Sequence, residues 1–200
     1  MLDTSKVNKN SGIPVGDRPQ NHLEIMGNNE QPWLPVESID FLYSNLNKKS
    51  IGFEYGSGSS TFWFSKFTDR IYSIENNPDW YSEISKKIKE NSIENIFYFH
   101  KNCKMLPIWD IDFENTVEYE EYSSAILSFD MKFDYILIDG VARSFCIQNS
   151  IDKLKEGGYL IIDNAERPAY WESMRKIPTN WEIVEFSNSV DKTLIYRKSY

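Results

Sequence analysis

The chain has 200 residues, of which 40% are hydrophobic and 15% aromatic, and a formal net charge of −8 at pH 7. This length gives room for one substantial core. The negative charge argues against nucleic acid as a partner, because contacts with phosphates require a basic surface.

Membrane insertion and secretion are not expected from this sequence. No apolar run approaches the roughly 18 residues of a membrane span, and the polar N-terminus lacks the apolar core of a signal peptide. Cys103 and Cys146 are too few for a disulfide framework. We therefore expect a cytoplasmic protein without a membrane partner.

The first 32 residues are polar and show no apolar periodicity. This segment is predicted to be a flexible N-terminal arm, or alternatively a lid that orders over a bound ligand. Residues 33–200 are predicted to form a single domain, beginning with a helix whose first turn contains Pro35.

From residue 50 onward the pattern alternates between strands and helices. The predicted strands are 51–55, 70–75, 95–100, 133–139 and 158–163, and the predicted helices are 60–68, 78–91, 144–155 and 168–177. Gly157 and Gly158 are expected to end the helix that precedes the fifth strand. Segments 181–186 and 193–197 predict a final antiparallel hairpin.

A glycine loop follows the first strand, in the sequence Glu54-Tyr-Gly-Ser-Gly-Ser-Ser-Thr61. Glycines let backbone N–H groups approach a ligand closely. Glu75 ends the next strand about 20 residues after the loop, where a carboxylate accepts hydrogen bonds from a ribose diol. The two features together predict a pocket for an adenosine-containing cofactor.

Two residues decide which cofactor is expected. Thr61 stands where a dinucleotide fingerprint has its third glycine, and Glu54 stands where a dinucleotide would bring negative charge. A carboxylate there suits a cation such as an α-ammonium group. A nicotinamide-dependent (NAD) oxidoreductase and a non-catalytic cofactor-binding domain are kept as alternatives.

The acid, the two glycines and the second acid resemble the first motifs of the class I S-adenosylmethionine-dependent methyltransferases. The resemblance covers about residues 36–198. It implies an α/β fold with a Rossmann-like seven-stranded sheet, mostly parallel with an antiparallel last strand, and helices on both faces. It also implies S-adenosylmethionine as cofactor. The cofactor-binding residues that it implies are Glu54, Gly56, Ser57, Gly58, Ser59, Glu75, Asn76, Asn102 and Asp139.

Two further carboxylates end the fourth and fifth strands, Asp139 and Asp163. A right-handed crossover makes these strands neighbours, so both carboxylates are expected at one edge of the sheet. With Asn164 they resemble the Mg²⁺ ligands of catechol O-methyltransferase, which implies that Mg²⁺ is a candidate cofactor. The alternative is that Asp139 holds cofactor or substrate while the other two cap a turn.

The catalytic candidates are Asp139, Asp163, Asn164 and Arg143. Arg143 and Arg167 follow strand ends, where a guanidinium would either bind a substrate anion or pair with a local acid. His100 ends the third strand and is either a general base or an ordinary satisfied polar residue.

Residues 101–132 form a long connection rich in acidic and aromatic residues. We expect a substrate-facing insertion with a short helix near residues 119–127, or alternatively a solvated surface helix. Its aromatic residues are Trp109, Phe113, Tyr119 and Tyr122.

The predicted activity is methyl transfer to a small hydroxylated molecule, such as a sugar or secondary metabolite, by O-methylation. The oligomeric state is left open, with a homodimer as one option.

Overall fold

The computed structural model describes residues 31–103, 119–188 and 191–200. Within these residues the strands are β1 (Ile51–Tyr55), β2 (Arg70–Glu75), β3 (Ile96–His100), β4 (Phe133–Ile138), β5 (Leu154–Ile162), β6 (Glu182–Ser187) and β7 (Lys192–Arg197). The helices are α1 (Val36–Asn45), α2 (Ser59–Ser65), α3 (Pro78–Glu90), α4 (Glu120–Ser123), α5 (Arg143–Ser150) and α6 (Trp171–Met174). Short 3₁₀ turns lie at Ala125–Ser128, Ile151–Lys153 and Pro168–Tyr170.

All seven described strands form one sheet in the order β3-β2-β1-β4-β5-β7-β6. The neighbours among β1 to β5 pair in parallel, and β7 pairs antiparallel with both β5 and β6. β6 therefore runs in the same direction as the first five strands. This confirms the predicted mostly parallel sheet with an antiparallel last strand, and it gathers the carboxyl ends of β1 to β5 at one edge.

The sheet has an apolar core on each face. Successive residues of a strand point to opposite faces, and in β4 Ile136 and Ile138 belong to one apolar cluster while Tyr135 and Leu137 belong to the other. All four side chains are fully buried. Burial on both faces explains why β4 is apolar from Tyr135 to Ile138 instead of alternating with polar residues.

The predicted boundary between the helix at 144–155 and the strand at 158–163 was wrong. α5 ends at Ser150, and β5 begins at Leu154. The register of β5 against β4 shifts between Phe133 and Tyr135, which marks a bulge. Gly157 has a φ of 75° inside β5, so the paired glycines form an irregular strand start and do not end a helix.

Two expected segments fall largely outside the described residues. The predicted arm at 1–32 is described only for Gln31 and Pro32, and the predicted insertion at 101–132 is described only for 101–103 and 119–132. The latter part contains α4 and the following 3₁₀ turn, close to the short helix expected at 119–127. In the described ranges, none of the helices combines the length and apolar character needed to cross a bilayer.

Candidate functional site

A cleft opens at the carboxyl edge of the sheet, where the loop after β1 meets the end of β4. Its volume is about 130 Å³, and its lining residues are Trp33, Ser57, Gly58, Ser59, Ser60, Trp80 and Asp139. Ligand pockets usually exceed about 300 Å³. The described residues therefore enclose space for part of a cofactor-sized ligand. The two tryptophans were not predicted as lining residues, since Trp33 precedes α1 and Trp80 lies on α3, to which no site role was assigned.

Next to the cleft-lining residues Ser57 and Asp139, two glycine backbones cross closely. Gly56 has a φ of 85°, and a Cβ on it would lie 2.6 Å from the Cα of Gly140. A Cβ on Gly140 would in turn lie 2.9 Å from the backbone nitrogen of Gly56. Only glycine at both positions lets the loops after β1 and β4 touch.

Glu54, at the end of β1, is fully buried behind the glycine loop. Its carboxylate accepts hydrogen bonds from the hydroxyls of Ser60, Thr61 (2.5 Å) and Ser73 (2.6 Å). Thr61 also accepts from the backbone N–H of Gly58, at 3.0 Å. The residue at the third-glycine position thus connects the loop to Glu54, and Glu54 holds α2 and β2 together instead of facing the cleft.

Burial raises the pKa of Glu54 to about 7, although its hydroxyl donors oppose this change. Desolvation disfavours the charged form of a carboxyl group, while hydrogen bonds to the carboxylate favour it. The α-ammonium contact expected for Glu54 would require its carboxylate to leave these three hydroxyls.

Glu75, at the end of β2, ties the glycine loop to the start of α3. One carboxylate oxygen accepts from the backbone N–H groups of Asn76 and Asn77, both at 2.8 Å. The other accepts from the N–H and the hydroxyl of Ser57, at 3.1 and 3.0 Å. Ser57 therefore occupies one oxygen of the carboxylate that was predicted to bind a ribose diol.

Two aromatic residues hold Ser57 in this position. The Tyr98 hydroxyl lies 2.6 Å from the Ser57 hydroxyl, and the Trp80 indole N–H donates to the Ser57 carbonyl at 2.9 Å. Neither contact could be predicted from local patterns, because Tyr98 lies on β3 and Trp80 lies on α3. These contacts fasten the glycine loop to β2, β3 and α3.

Asp139, at the end of β4, is the carboxylate that lines the cleft among the described residues, and its side chain is 29% exposed. It accepts a hydrogen bond of 2.9 Å from Nη2 of Arg143. Arg143 is itself buried at the start of α5, where Ala142 takes a left-handed conformation with a φ of 51°.

The Arg143 guanidinium is saturated with acceptors from its own chain. Nε donates to the Gly140 carbonyl, and Nη2 donates to the carbonyl and carboxylate of Asp139. Nη1 donates to the carbonyl of Asp163 and the side-chain oxygen of Asn164. A guanidinium has five N–H donors, and these five contacts use them all. This arrangement is the local pairing that was kept as one of the two alternatives for Arg143, and binding of a substrate anion would require some of these contacts to break.

Asp163 and Asn164 lie behind this guanidinium and not in the cleft lining. Asp163 is 4% exposed, accepts from the Thr193 hydroxyl at 2.8 Å, and its second oxygen lies 3.9 Å from Arg143 Nη1. Asn164 has a φ of 49° and donates to Asp191 at 3.0 Å. Both residues thus support the turn after β5, and their predicted catalytic role has no support in this arrangement.

The predicted Mg²⁺ set does not suit a metal ion. Arg143 is hydrogen-bonded to the side-chain oxygens of Asp139 and Asn164, so a cation already lies among the three proposed ligands. Among the described residues, no group of three or more His, Cys, Asp or Glu side chains is arranged to hold a metal. We derive no step through Mg²⁺.

Burial and the neighbouring charges set the ionisation of Asp163 and Arg143. Burial raises the pKa of Asp163 to about 7, and the neighbouring Asp139 carboxylate contributes, while Arg143 opposes the change. Burial lowers the pKa of Arg143, but Asp139, Tyr170 and Asp163 outweigh it and hold the pKa above its usual value. Arg143 is therefore a permanent cation.

The remaining predicted residues have diverse positions. A ring nitrogen of His100 lies 3.1 Å from the carbonyl of Asn76, which supports its reading as a satisfied polar residue. Asn102 is exposed just after β3. Tyr119 and Tyr122 were expected to face substrate, but they are 3% and 0% exposed and belong to the core. Trp109 and Phe113 lie outside the described residues.

No protein-family model matches the chain, and no curated protein sequence does. Solved structures do resemble it. SMU.1697c of Streptococcus mutans, described as a methyltransferase and solved in complex with SAH, has a TM-score of 0.62 at 16% identity, covering 84% of this chain and 99% of its own. An rRNA methylase of Streptococcus thermophilus has a TM-score of 0.60 at 15% identity, covering 85% and 99%.

The methyltransferase-like protein spo2022 of Silicibacter pomeroyi has a TM-score of 0.63 at 14% identity, covering 84% of this chain and 89% of its own. At such identities the similarity shows a shared fold. The chain therefore has the Rossmann-like fold found in methyltransferases that bind S-adenosylmethionine or its product.

Proposed function

We propose that this protein transfers a methyl group from S-adenosylmethionine to a small hydroxylated molecule, such as a sugar or secondary metabolite, by O-methylation. The observation that carries the proposal is the position of Glu75 beside the glycine loop, 3.1 Å from the backbone nitrogen of Ser57, at the edge where Asp139 lines the cleft. A ribose-binding acid, a close-approach loop and a candidate base thus share one side of the sheet.

In this proposal the Glu75 carboxylate binds the ribose hydroxyls of the cofactor. The Ser57 hydroxyl, a neutral donor, makes a hydrogen bond to that carboxylate, and a ribose hydroxyl can replace it with a bond of the same kind. The loop Gly56–Gly58 lies under the amino-acid part of the cofactor, with Ser59 beside it, and Asn76 and Asn102 border the adenosine part. Glu54 acts indirectly by fixing the loop through Thr61 and Ser60.

The methyl donor is already activated as a sulfonium, so the protein must align an in-line displacement and remove a proton from the acceptor. The acceptor oxygen forms a bond to the methyl carbon while the carbon–sulfur bond breaks. The electron pair of the carbon–sulfur bond stays on sulfur. Asp139 is the cleft-lining carboxylate available to take the acceptor proton. Arg143 holds that carboxylate in place at 2.9 Å.

The acceptor is proposed from charge. The chain carries a net charge of −8, which favours a neutral or cationic small molecule over a polyanion. One protein of similar fold is an rRNA methylase, so RNA is included as an alternative acceptor in the test. A cytoplasmic location remains a prediction, from two cysteines that are both free thiols.

Calorimetry with S-adenosylhomocysteine and NAD in parallel tests the cofactor. We expect binding of S-adenosylhomocysteine only, weakened by about 1–3 kcal/mol in Glu75→Ala, because ribose and backbone donors lose their acceptor. Glu90→Ala is the control, since Glu90 lies on the exposed surface of α3. Binding of NAD alone would contradict S-adenosylmethionine as the cofactor. Unchanged affinity for S-adenosylhomocysteine in a folded Glu75→Ala variant would contradict the role of Glu75.

A screen with labelled S-adenosylmethionine then tests the acceptor. We expect transfer to hydroxylated small molecules, and loss of turnover without loss of cofactor affinity in Asp139→Asn. Transfer to RNA, or to amines alone, would replace the O-methylation of a small molecule as the proposed reaction.

A further inference from the structure

The carboxylates at the ends of β4 and β5 share one buried cation that belongs to the chain itself. We propose that Arg143 is a built-in counter-cation that takes the position of a divalent metal in this site and fixes Asp139 toward the cleft. Arg143 is thus a positioning residue, and the site works without a metal ion.

The Arg143 guanidinium is surrounded by oxygen atoms, as a bound cation would be. Its donors reach five oxygens at distances between 2.6 and 3.2 Å. These oxygens come from the loop after β4 and the loop after β5, which are joined through this one side chain. Arg143 is 7% exposed, so its guanidinium is shielded from exchange with solvent ions.

The aromatic ring of Tyr170 completes the enclosure. The Arg143 guanidinium carbon lies 5.8 Å from the centre of that ring, a distance at which a cation is attracted to the ring face. The cation is therefore surrounded by carboxylate and carbonyl oxygens on its edges and by an aromatic ring on one face. Lysine has a single nitrogen and cannot reproduce this set of contacts.

The filled cation site and the metal-independent reaction can be tested separately. The claim that Arg143 fills a cation site concerns the folded chain alone and does not depend on what the protein catalyses. The claim that methyl transfer needs no divalent metal rests on the proposed function. The first statement is therefore tested without turnover.

Removal of the side chain should leave a cavity that selects guanidinium. Arg143→Ala strands two carboxylates in a buried site, and we expect its melting temperature to fall by about 10 °C. Guanidinium at low millimolar concentration should restore most of that loss, whereas tetramethylammonium at the same ionic strength should not. Arg175→Ala is the matched control, because Arg175 is exposed directly after α6. It should show a small loss and no recovery.

A folded Arg143→Ala variant that guanidinium does not restore would overturn the proposal. If that variant does not fold, refolding with and without guanidinium gives the same comparison, and recovery only with guanidinium supports the proposal. The intact protein offers an independent measurement by manganese titration. We expect that manganese does not bind at Asp139, so any weak binding should be the same in the intact protein and in Asp139→Asn. A stoichiometric site lost in that variant would show that Arg143 does not exclude a metal.

Discussion

The two halves of the carboxyl edge hold their carboxylates in different ways. At the ends of β1 and β2, Glu54 and Glu75 are bound by serine and threonine hydroxyls and by backbone N–H groups. At the ends of β4 and β5, Asp139 and Asp163 are bound around Arg143. A ligand hydroxyl can replace a neutral donor at little net cost, but it cannot replace a buried cation.

This difference assigns a task to each half. In the proposed function, the first half exchanges Ser57 for the cofactor. The second half is pre-organised, which keeps the carboxylate of Asp139 in a fixed orientation for the proposed proton transfer. The two halves meet at the crossing of Gly56 and Gly140.

The largest effect is expected where the halves meet. Gly56→Ala places a Cβ 2.6 Å from the Gly140 Cα at a φ of 85°, so we expect a loss of about 2–4 kcal/mol in the free energy of unfolding. Urea unfolding measures it. Gly58→Ala is the control, because its φ of 172° is ordinary extended backbone and its Cβ would meet no described atom within 4 Å. Equal stability of the two variants would mean that the halves are not joined at this crossing.

Next in size is the dependence of stability on pH. Glu54 and Asp163 both have a pKa of about 7 in the folded protein, above the ordinary values near 4. The folded chain therefore binds more protons than the unfolded chain between pH 4 and 7. Each group contributes stability that is complete below its ordinary pKa and is lost as the pH rises through 7, by an amount on the order of 3 kcal/mol.

Unfolding by urea at a series of pH values checks this pH dependence and assigns it to the two halves. We expect Glu54→Gln and Asp163→Asn each to remove part of the decline between pH 5 and pH 8. The two substitutions leave different surroundings. Asp163→Asn leaves Arg143 with Asp139 as its carboxylate partner, whereas Glu54→Gln leaves position 54 surrounded by neutral hydroxyls. A decline that is unchanged in both variants would show that neither carboxyl is protonated at neutral pH.

The strand pattern and the strand-end acids were predictable, because apolar runs and glycine loops are local features of the sequence. Glu54, Glu75, Asp139 and Asp163 could be placed at one edge from the parallel order alone. Their partners could not be predicted. The five acceptors of Arg143 come from two loops more than 20 residues apart, and the start of β5 depends on a bulge at Gly157 that requires its pairing with neighbouring strands.

A smaller effect is expected from loosening Ser57. Ser57→Ala removes the hydroxyl that binds Glu75 at 3.0 Å and Tyr98 at 2.6 Å. Because the ligand no longer has to displace it, the affinity for S-adenosylhomocysteine should rise about three- to tenfold, the equivalent of one net hydrogen bond. Tyr98→Phe should give a smaller rise, since the bond between Ser57 and Glu75 remains. A fall in affinity measured by calorimetry would mean that the hydroxyl binds the ligand.

The smallest effect is expected below the crossing, at Tyr122. Its hydroxyl is buried and has no hydrogen-bond partner in the described part of the chain. A Cβ on Gly140 would lie 2.0 Å from it, so this hydroxyl, like Gly56, restricts position 140 to glycine. Loss of an unpaired buried hydroxyl removes a desolvation cost and no bond. Tyr122→Phe should therefore change the free energy of unfolding by no more than about 0.5 kcal/mol, toward greater stability.

Tyr55 provides the matched comparison for this last prediction, because it is equally buried and its ring centre lies 5.5 Å from that of Tyr122. The Tyr55 hydroxyl donates to the Ser123 carbonyl at 2.7 Å, so Tyr55→Phe should cost about 1 kcal/mol. Urea unfolding of both variants without ligand distinguishes a paired from an unpaired hydroxyl in nearly the same surroundings. A loss in Tyr122→Phe as large as that in Tyr55→Phe would show that a buried water binds Tyr122, and that the crossing of the two halves is hydrated beneath Gly140.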